Sequence, residues 1–220
     1  ALFANTTANS NVAIGRIALS ANTTGTQNVV IGAYSMDANT TGDSNTAVGH
    51  VALGSNTTAS QNTAVGFQAL TSNTTGQLNT SVGANSLLLN TTGTYNTGIG
   101  VSALYDNTTT SNNTAVGYLA LKENTADNNT AVGANCLDTN TTGASNVAVG
   151  FYAMKANTTA SNNAAFGYSA LRYNTTGAGN VAVGYYSLRN NTTASQNTAV
   201  GFEALTANTT GAENTAVGYQ

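Results

Sequence analysis

One spacing constrains this chain more than any other feature. The Asn that opens each Asn-Thr-Thr triplet, with Asn-Thr-Ala in its place at 124, stands at positions 5, 22, 39, 56, 73, 90, 107, 124, 140, 157, 174, 191 and 208. The step is 17 throughout, apart from one step of 16 after Asn124, where NTADNNT replaces the NTTTSNNT of residues 107–114. The unit N-T-T-G-x-x-N-T-A-V-G-x-x-A-L-x-x is written thirteen times, and residues 56–67 return unchanged at 191–202. Repetition at so short a period specifies a one-dimensional array in which each unit packs on its neighbours.

The invariant letters say what each position does. The Gly after the "AV" pair is Gly in all thirteen copies, from Gly15 to Gly218. That requires either a positive φ or a close backbone approach. The Gly after "NTT" gives way to Ala8, Ala59, Thr110, Ala160 and Ala194, so a positive φ is not required there. The residue before the fixed Gly is always apolar, as in Ile14, Val48 and Phe166. Four residues after it comes Leu or Met, as in Leu19, Met36 and Leu70. The charged residues all fall on the variable positions.

Frequent β-branched residues, recurrent Gly and the lack of a 3.6-residue apolar stripe exclude helix. The "N-[TV]-A-[VI]-G" segment alternates as a short strand does. The predicted fold is all-β, a repetitive parallel β-solenoid with one 17-residue coil per repeat, 13 repeats in a single array over residues 1–220. Stacking sets identical residues above one another about 4.8 Å apart. Asn columns then form amide ladders, and charge is scarce because like charges in register repel. Val48, Val65 and Val82 are expected in the core, with Leu53, Leu70 and Leu87 in a second column. The short repeat should be absorbed near Asp127, leaving Val132 and Val149 in register. The Ala between the apolar strand positions forms a column of small residues from Ala13 to Ala216. It is expected to face another chain, most simply two more copies about a threefold axis.

"NSNVAIGRIALS" (residues 9–20) and the "N-x-A-[VI]-G" core of every repeat resemble the head repeats of YadA-like trimeric autotransporter adhesins. The phrase "NTAVGYLAL" (residues 113–121) is similar to repeats in phage tail fibres. The resemblance implies a left-handed parallel β-roll, three chains about an axis, and an adhesive or spacer role outside the cell, on a cell surface or a virion. The chain starts without Met and stops in mid-repeat, which reads as a segment of a longer fibre protein.

Composition excludes several other classes. Charged residues are 6 %, against roughly 25 % in average proteins. A net charge of −3 gives no electrostatic reason to expect nucleic acid or an anionic membrane as partner. No apolar run has the roughly 20 residues of a membrane helix. The single His50 and single Cys136 lie in different coils, so neither a zinc cluster nor a Cys–His nucleophile forms within one chain. No calcium loop or phosphate loop is present. The expectation is a non-enzymatic chain without cofactor.

Two columns stand as candidate binding sites. Tyr168, Tyr185 and Phe202 share an aromatic column with His50, and it reads either as packing between coils or as a sugar-stacking platform. Lys155, Arg172 and Arg189 share one column in three successive coils, which reads either as a solvated edge or as a stripe facing an anionic glycan. Twelve of the thirteen "NTT" sites satisfy N-x-[ST]; a ladder Asn cannot carry a glycan, whereas a corner Asn can. Two alternatives to the adhesin-like reading are an end-to-end filament and an ice-binding solenoid. Against ice binding, adjacent Thr residues in "NTT" would face opposite ways in a strand.

Overall fold

A computed structural model describes residues 1–220. The chain is all-β, without helix, and divides into two units, residues 1–112 and 113–220, each a parallel β-solenoid of stacked coils. The first holds β1 (Val12–Ile14), β2 (Val29–Ile31), β3 (Thr46–Val48), β4 (Thr63–Val65), β5 (Thr80–Val82) and β6 (Thr97–Ile99). The second holds β7 (Thr114–Val116), β8 (Thr130–Val132), β9 (Val147–Val149), β10 (Ala164–Phe166), β11 (Val181–Val183), β12 (Thr198–Val200) and β13 (Thr215–Val217). Within each unit the strands pair in chain order, so Ala47 lies opposite Ala64 and Val48 opposite Val65. The short repeat keeps register, with Val116 opposite Val132 and Val132 opposite Val149. The missing residue is absorbed in the bend after Asn124. There Asn124 Nδ2 reaches the carbonyl of Ala126, two residues on, where Asn22 reaches that of Gly25, three residues on.

Each coil is thin. The middle strand residue faces inward and meets the turn segment directly: Ser81 Oγ donates to the Ser86 carbonyl at 2.8 Å. Between strand and turn there is room for one Ala-sized column from each side and a single column of long side chains. Leu53, Leu70 and Leu87 form that column in the first unit, and Leu137, Met154 and Leu171 in the second, all fully buried. The expected Leu column is therefore present.

The expected phase of the strand is reversed. Ala47, Ala64, Ala115 and Ala148 are fully buried inside their own coils and face no other chain. Val48, Val65 and Val82 are half-buried on the outer surface, and Val29 and Ile31 are exposed there. Alternation fixes which residues share a face and leaves open which face is inside. The narrow interior, already occupied by Leu, selects the Ala.

Two ladders of buried Asn supply the polar part of the core. Asn56 Nδ2 donates to Asn39 Oδ1 at 3.0 Å and to the Ala59 carbonyl of its own coil at 3.0 Å. In the second column, Asn45 donates through its backbone N–H to Asn28 Oδ1 at 2.9 Å and through Nδ2 to the Ala59 carbonyl one coil on at 2.9 Å. A buried polar group is costly unless bonded, and these amides are bonded along the stack.

The fixed glycines meet both conditions read from the sequence. All thirteen have φ between +131° and +143°. A Cβ at Gly66 would lie 2.5 Å from the Gly83 carbonyl oxygen of the next coil. Left-handed backbone also extends to residues that are not Gly. Tyr34 (φ 56°), Met36 (φ 48°) and their equivalents alternate handedness through each turn. This points successive amides up and down the stack: Tyr34 N donates to Arg16 O in one direction and Met36 N to Ala52 O in the other, each at 2.9 Å. Inter-coil hydrogen bonds offset a conformation that is otherwise uncommon for Leu, Met and Tyr.

Candidate functional site: the basic and aromatic columns

The variable positions that follow each fixed Gly and precede each "NTT" project from the coil, so equivalent side chains line up on its flank. In the second unit two such columns run side by side.

The aromatic column joins Phe151, Tyr168, Tyr185, Phe202 and Tyr219. Centroid distances are 5.6 Å between Phe151 and Tyr168 and 5.2 Å from Tyr168 to Tyr185 and from Tyr185 to Phe202. The last two pairs are nearly parallel, with interplanar angles of 11° and 6°. These rings stack on one another, so their faces are largely occupied and their edges point outward. In the first unit His50 belongs to the same kind of column, stacked on Phe67 at 5.7 Å and edge-on to Tyr34 at 6.0 Å.

The basic column is Lys122, Asp138, Lys155, Arg172 and Arg189, one residue per coil. Asp138 interrupts it, in the slot one coil before Lys155. Burial raises the Asp138 carboxyl above its usual range, against the pull of the flanking Lys155 and Lys122. Lys122 pairs with Glu123 at 3.5 Å. Arg172 and Arg189 have no carboxylate partner. They are wedged among tyrosines instead: the Arg172 guanidinium lies 4.6 Å from the Tyr152 ring and 5.1 Å from Tyr173. Arg189 lies 5.5 Å from Tyr173 and 4.4 Å from Tyr186, and the Lys155 ammonium caps the series 4.7 Å from Tyr152. The spacing alone places the cations in one column but gives no sign of the interleaved Tyr152, Tyr173 and Tyr186. These occupy two other slots of the repeat and meet the cations only once the turn is folded. Beside them is a groove of about 430 Å³ lined by Thr139, Lys155, Ala156, Thr158, Arg172 and Tyr173.

The remaining candidates serve structure. Cys136 takes the small inward slot, fully buried, its thiol 3.2 Å from the Ala148 carbonyl, and burial pushes it up to about 12. A thiol that hard to ionise is a poor nucleophile. No group of three His, Cys, Asp or Glu side chains is placed to hold a metal ion.

The "NTT" sequons divide as the ladder argument requires. Asn56 and Asn73 are fully buried, and both hydrogens of each Nδ2 are already donated, so neither nitrogen is open to a sugar. Two other sequons, Asn112-Asn113-Thr114 and Asn128-Asn129-Thr130, present an exposed Asn at the corner. The two Thr of each triplet both face outward, Thr24 exposed and Thr23 half-buried, because NTTG is a bend and not a strand. Adjacent Thr residues therefore do not face opposite ways, and the expectation against an outward Thr array is corrected. Comparison with models of known protein families and with curated proteins finds no match to this chain.

Proposed function

We propose that this chain is a structural segment of an extracellular fibre, an adhesin-type or tail-fibre-type spacer whose flank meets surface glycans. One observation carries the reading: both invariant Asn columns are spent on bonding each coil to the next. A sequence selected for a catalytic cleft concentrates its constraint on a few converging groups; here the constraint is spread evenly over every coil and serves extension of the stack. The resemblance to adhesin head repeats supports a cell-surface or virion location and assembly of three chains.

With the Ala column internal, lateral self-association falls to the outer strand face, where half-buried Thr and Val alternate with exposed Val and Ile. An uncovered parallel sheet carrying such residues is a surface for a second copy. Light scattering tests it: Val116→Lys with Val149→Lys should dissociate the oligomer and leave a folded monomer. An unchanged mass would remove the lateral contact from this face. Electron microscopy of the native assembly tests the fibre itself, and compact particles in place of filaments would overturn it.

A second reading has an observation of its own. Thr46, Thr63 and Thr80 stand in register beside Val48, Val65 and Val82 on the outer sheet, a regular lattice of hydroxyl and methyl groups suited to ice. Thermal hysteresis of the purified chain would favour it, and its absence would exclude it.

A further inference from the structure

We propose that the strip of Lys155, Arg172 and Arg189 is a binding site for an acidic polysaccharide, a linear polymer carrying carboxylate or sulfate groups that spans three coils. This names a ligand for the fibre flank and rests on the fibre reading only for where such a polymer is met.

Three observations converge on it. The first is uncompensated charge: four of the five cationic side chains of a chain with net charge −3 share one column, three of them in successive coils beyond Asp138, and neither arginine has an acidic partner. One cation per coil gives a repeat of about 4.8 Å, a periodic row that a linear polyanion matches by successive contacts, gaining affinity through multivalency.

The second is preorganisation. Each guanidinium is held between tyrosines, Arg172 by Tyr152 and Tyr173 and Arg189 by Tyr173 and Tyr186. Flexible surface cations lose entropy on binding, whereas these are already ordered by cation–π contacts. The third is unmet hydrogen-bonding capacity. Only four buried side-chain polar atoms in the chain lack a partner, and three of them lie in these coils: Arg172 Nε, Arg189 Nε and Ser169 Oγ. Ser169 occupies the slot that Tyr152 and Tyr186 fill one coil to either side. These atoms are buried, so they show that no group of the protein itself satisfies the two guanidinium ions; a carboxylate or sulfate oxygen would meet the ions from the groove bordered by Lys155 and Arg172.

The same geometry selects against nucleic acid. Single strands bind by stacking bases on free aromatic faces. Here the faces of Tyr152, Tyr173 and Tyr186 carry cations, and those of Tyr168, Tyr185 and Phe202 are stacked on one another. A ligand that offers charge without rings fits better.

The test is retention of the full chain on immobilised polygalacturonate and dextran sulfate, with uncharged dextran and a single-stranded oligodeoxynucleotide as comparisons. Binding to either acidic polymer, with little to dextran, and release by salt are expected; the stronger of the two assigns carboxylate or sulfate. Arg172→Gln with Arg189→Gln should weaken binding by about tenfold or more, the loss of charge-assisted contacts, and Arg16→Gln in the other unit should leave it unchanged. If the double variant loses its β-type circular dichroism, Lys155→Gln replaces it, since that ammonium touches a single ring, and a weaker reduction is expected. The proposal is overturned if neither acidic polymer binds, if folded variants bind like the parent, or if the oligonucleotide is preferred. Such a failure would leave the fibre reading standing, because filament formation is scored separately by microscopy.

Discussion

Asn73 donates through Nδ2 to Asn56 Oδ1 at 3.1 Å, seventeen residues back and one coil away, and through the same nitrogen to the Gly76 carbonyl at 2.9 Å. Its own Oδ1 accepts from Asn90 Nδ2 at 2.9 Å. One side chain therefore closes its own coil and joins those on either side. Asn73→Ala leaves the Asn56 and Gly76 oxygens and the Asn90 amide without this partner in a dry interior. The expected cost is on the order of 3 kcal/mol, read as a lower urea midpoint for the unit formed by residues 1–112. A change below about 0.5 kcal/mol would mean that water replaces the ladder.

The reversed strand phase makes neighbouring residues respond in opposite ways. Ala64→Leu overfills an interior already occupied by Leu70 and should cost about 1–3 kcal/mol or more. Val65→Ala removes a half-buried methyl pair on the outer face and should cost less than about 1 kcal/mol in the monomer. Leu70→Ala empties the one long-chain column and should cost about 2–5 kcal/mol. Chemical denaturation of the three variants orders them, and a Val65→Ala cost above that of Ala64→Leu would contradict the phase.

The two glycine positions of the repeat should separate as sharply. Gly66→Ala forces an L-residue to φ +143° and drives Cβ onto the Gly83 carbonyl of the next coil. The backbone term alone is about 1–3 kcal/mol. A Cβ at Gly76 would also crowd a carbonyl of the next coil, 2.3 Å from Gly93 O, but Gly76 has no such φ, and its slot holds buried Ala59, Ala160 and Ala194 in other coils, where the stack accommodates the methyl. Melting temperatures should fall markedly for Gly66→Ala and only slightly for Gly76→Ala.

Acid should stabilise this protein at Asp138. Burial holds its carboxyl above the ordinary 3.8, outweighing Lys155 and Lys122. The unfolded chain then releases this proton at a lower pH than the folded chain. The contribution is fully present below 3.8 and is lost as pH rises through the higher folded value. Asp37, in the same slot of the other unit, is shifted upward by burial in the same sense. Asp37→Asn with Asp138→Asn should flatten the decline in melting temperature on going from acid to neutral pH. A variant that keeps the parent slope would place the effect elsewhere.

The period alone determined most of this architecture. Copies offset by a constant step can satisfy identical positions at once only by stacking, so the parallel register, both Asn ladders, the Leu column and the absorbed deletion near Asp127 are legible in the sequence. The phase of the strand is not. A two-residue alternation is symmetric between inside and outside, and only the packed width of the coil, one Leu deep, decided that Ala47 and Ala64 turn in and Val48 and Val65 turn out. Left-handed backbone at Tyr34 and Met36 was equally hidden, because propensity disfavours it and only inter-coil hydrogen bonds compensate it. The basic column shows the same division. Lys155, Arg172 and Arg189 share a slot by counting, whereas Tyr152, Tyr173 and Tyr186 reach them from other slots. Linear spacing records which residues stack; which slots meet across a turn depends on how that turn closes.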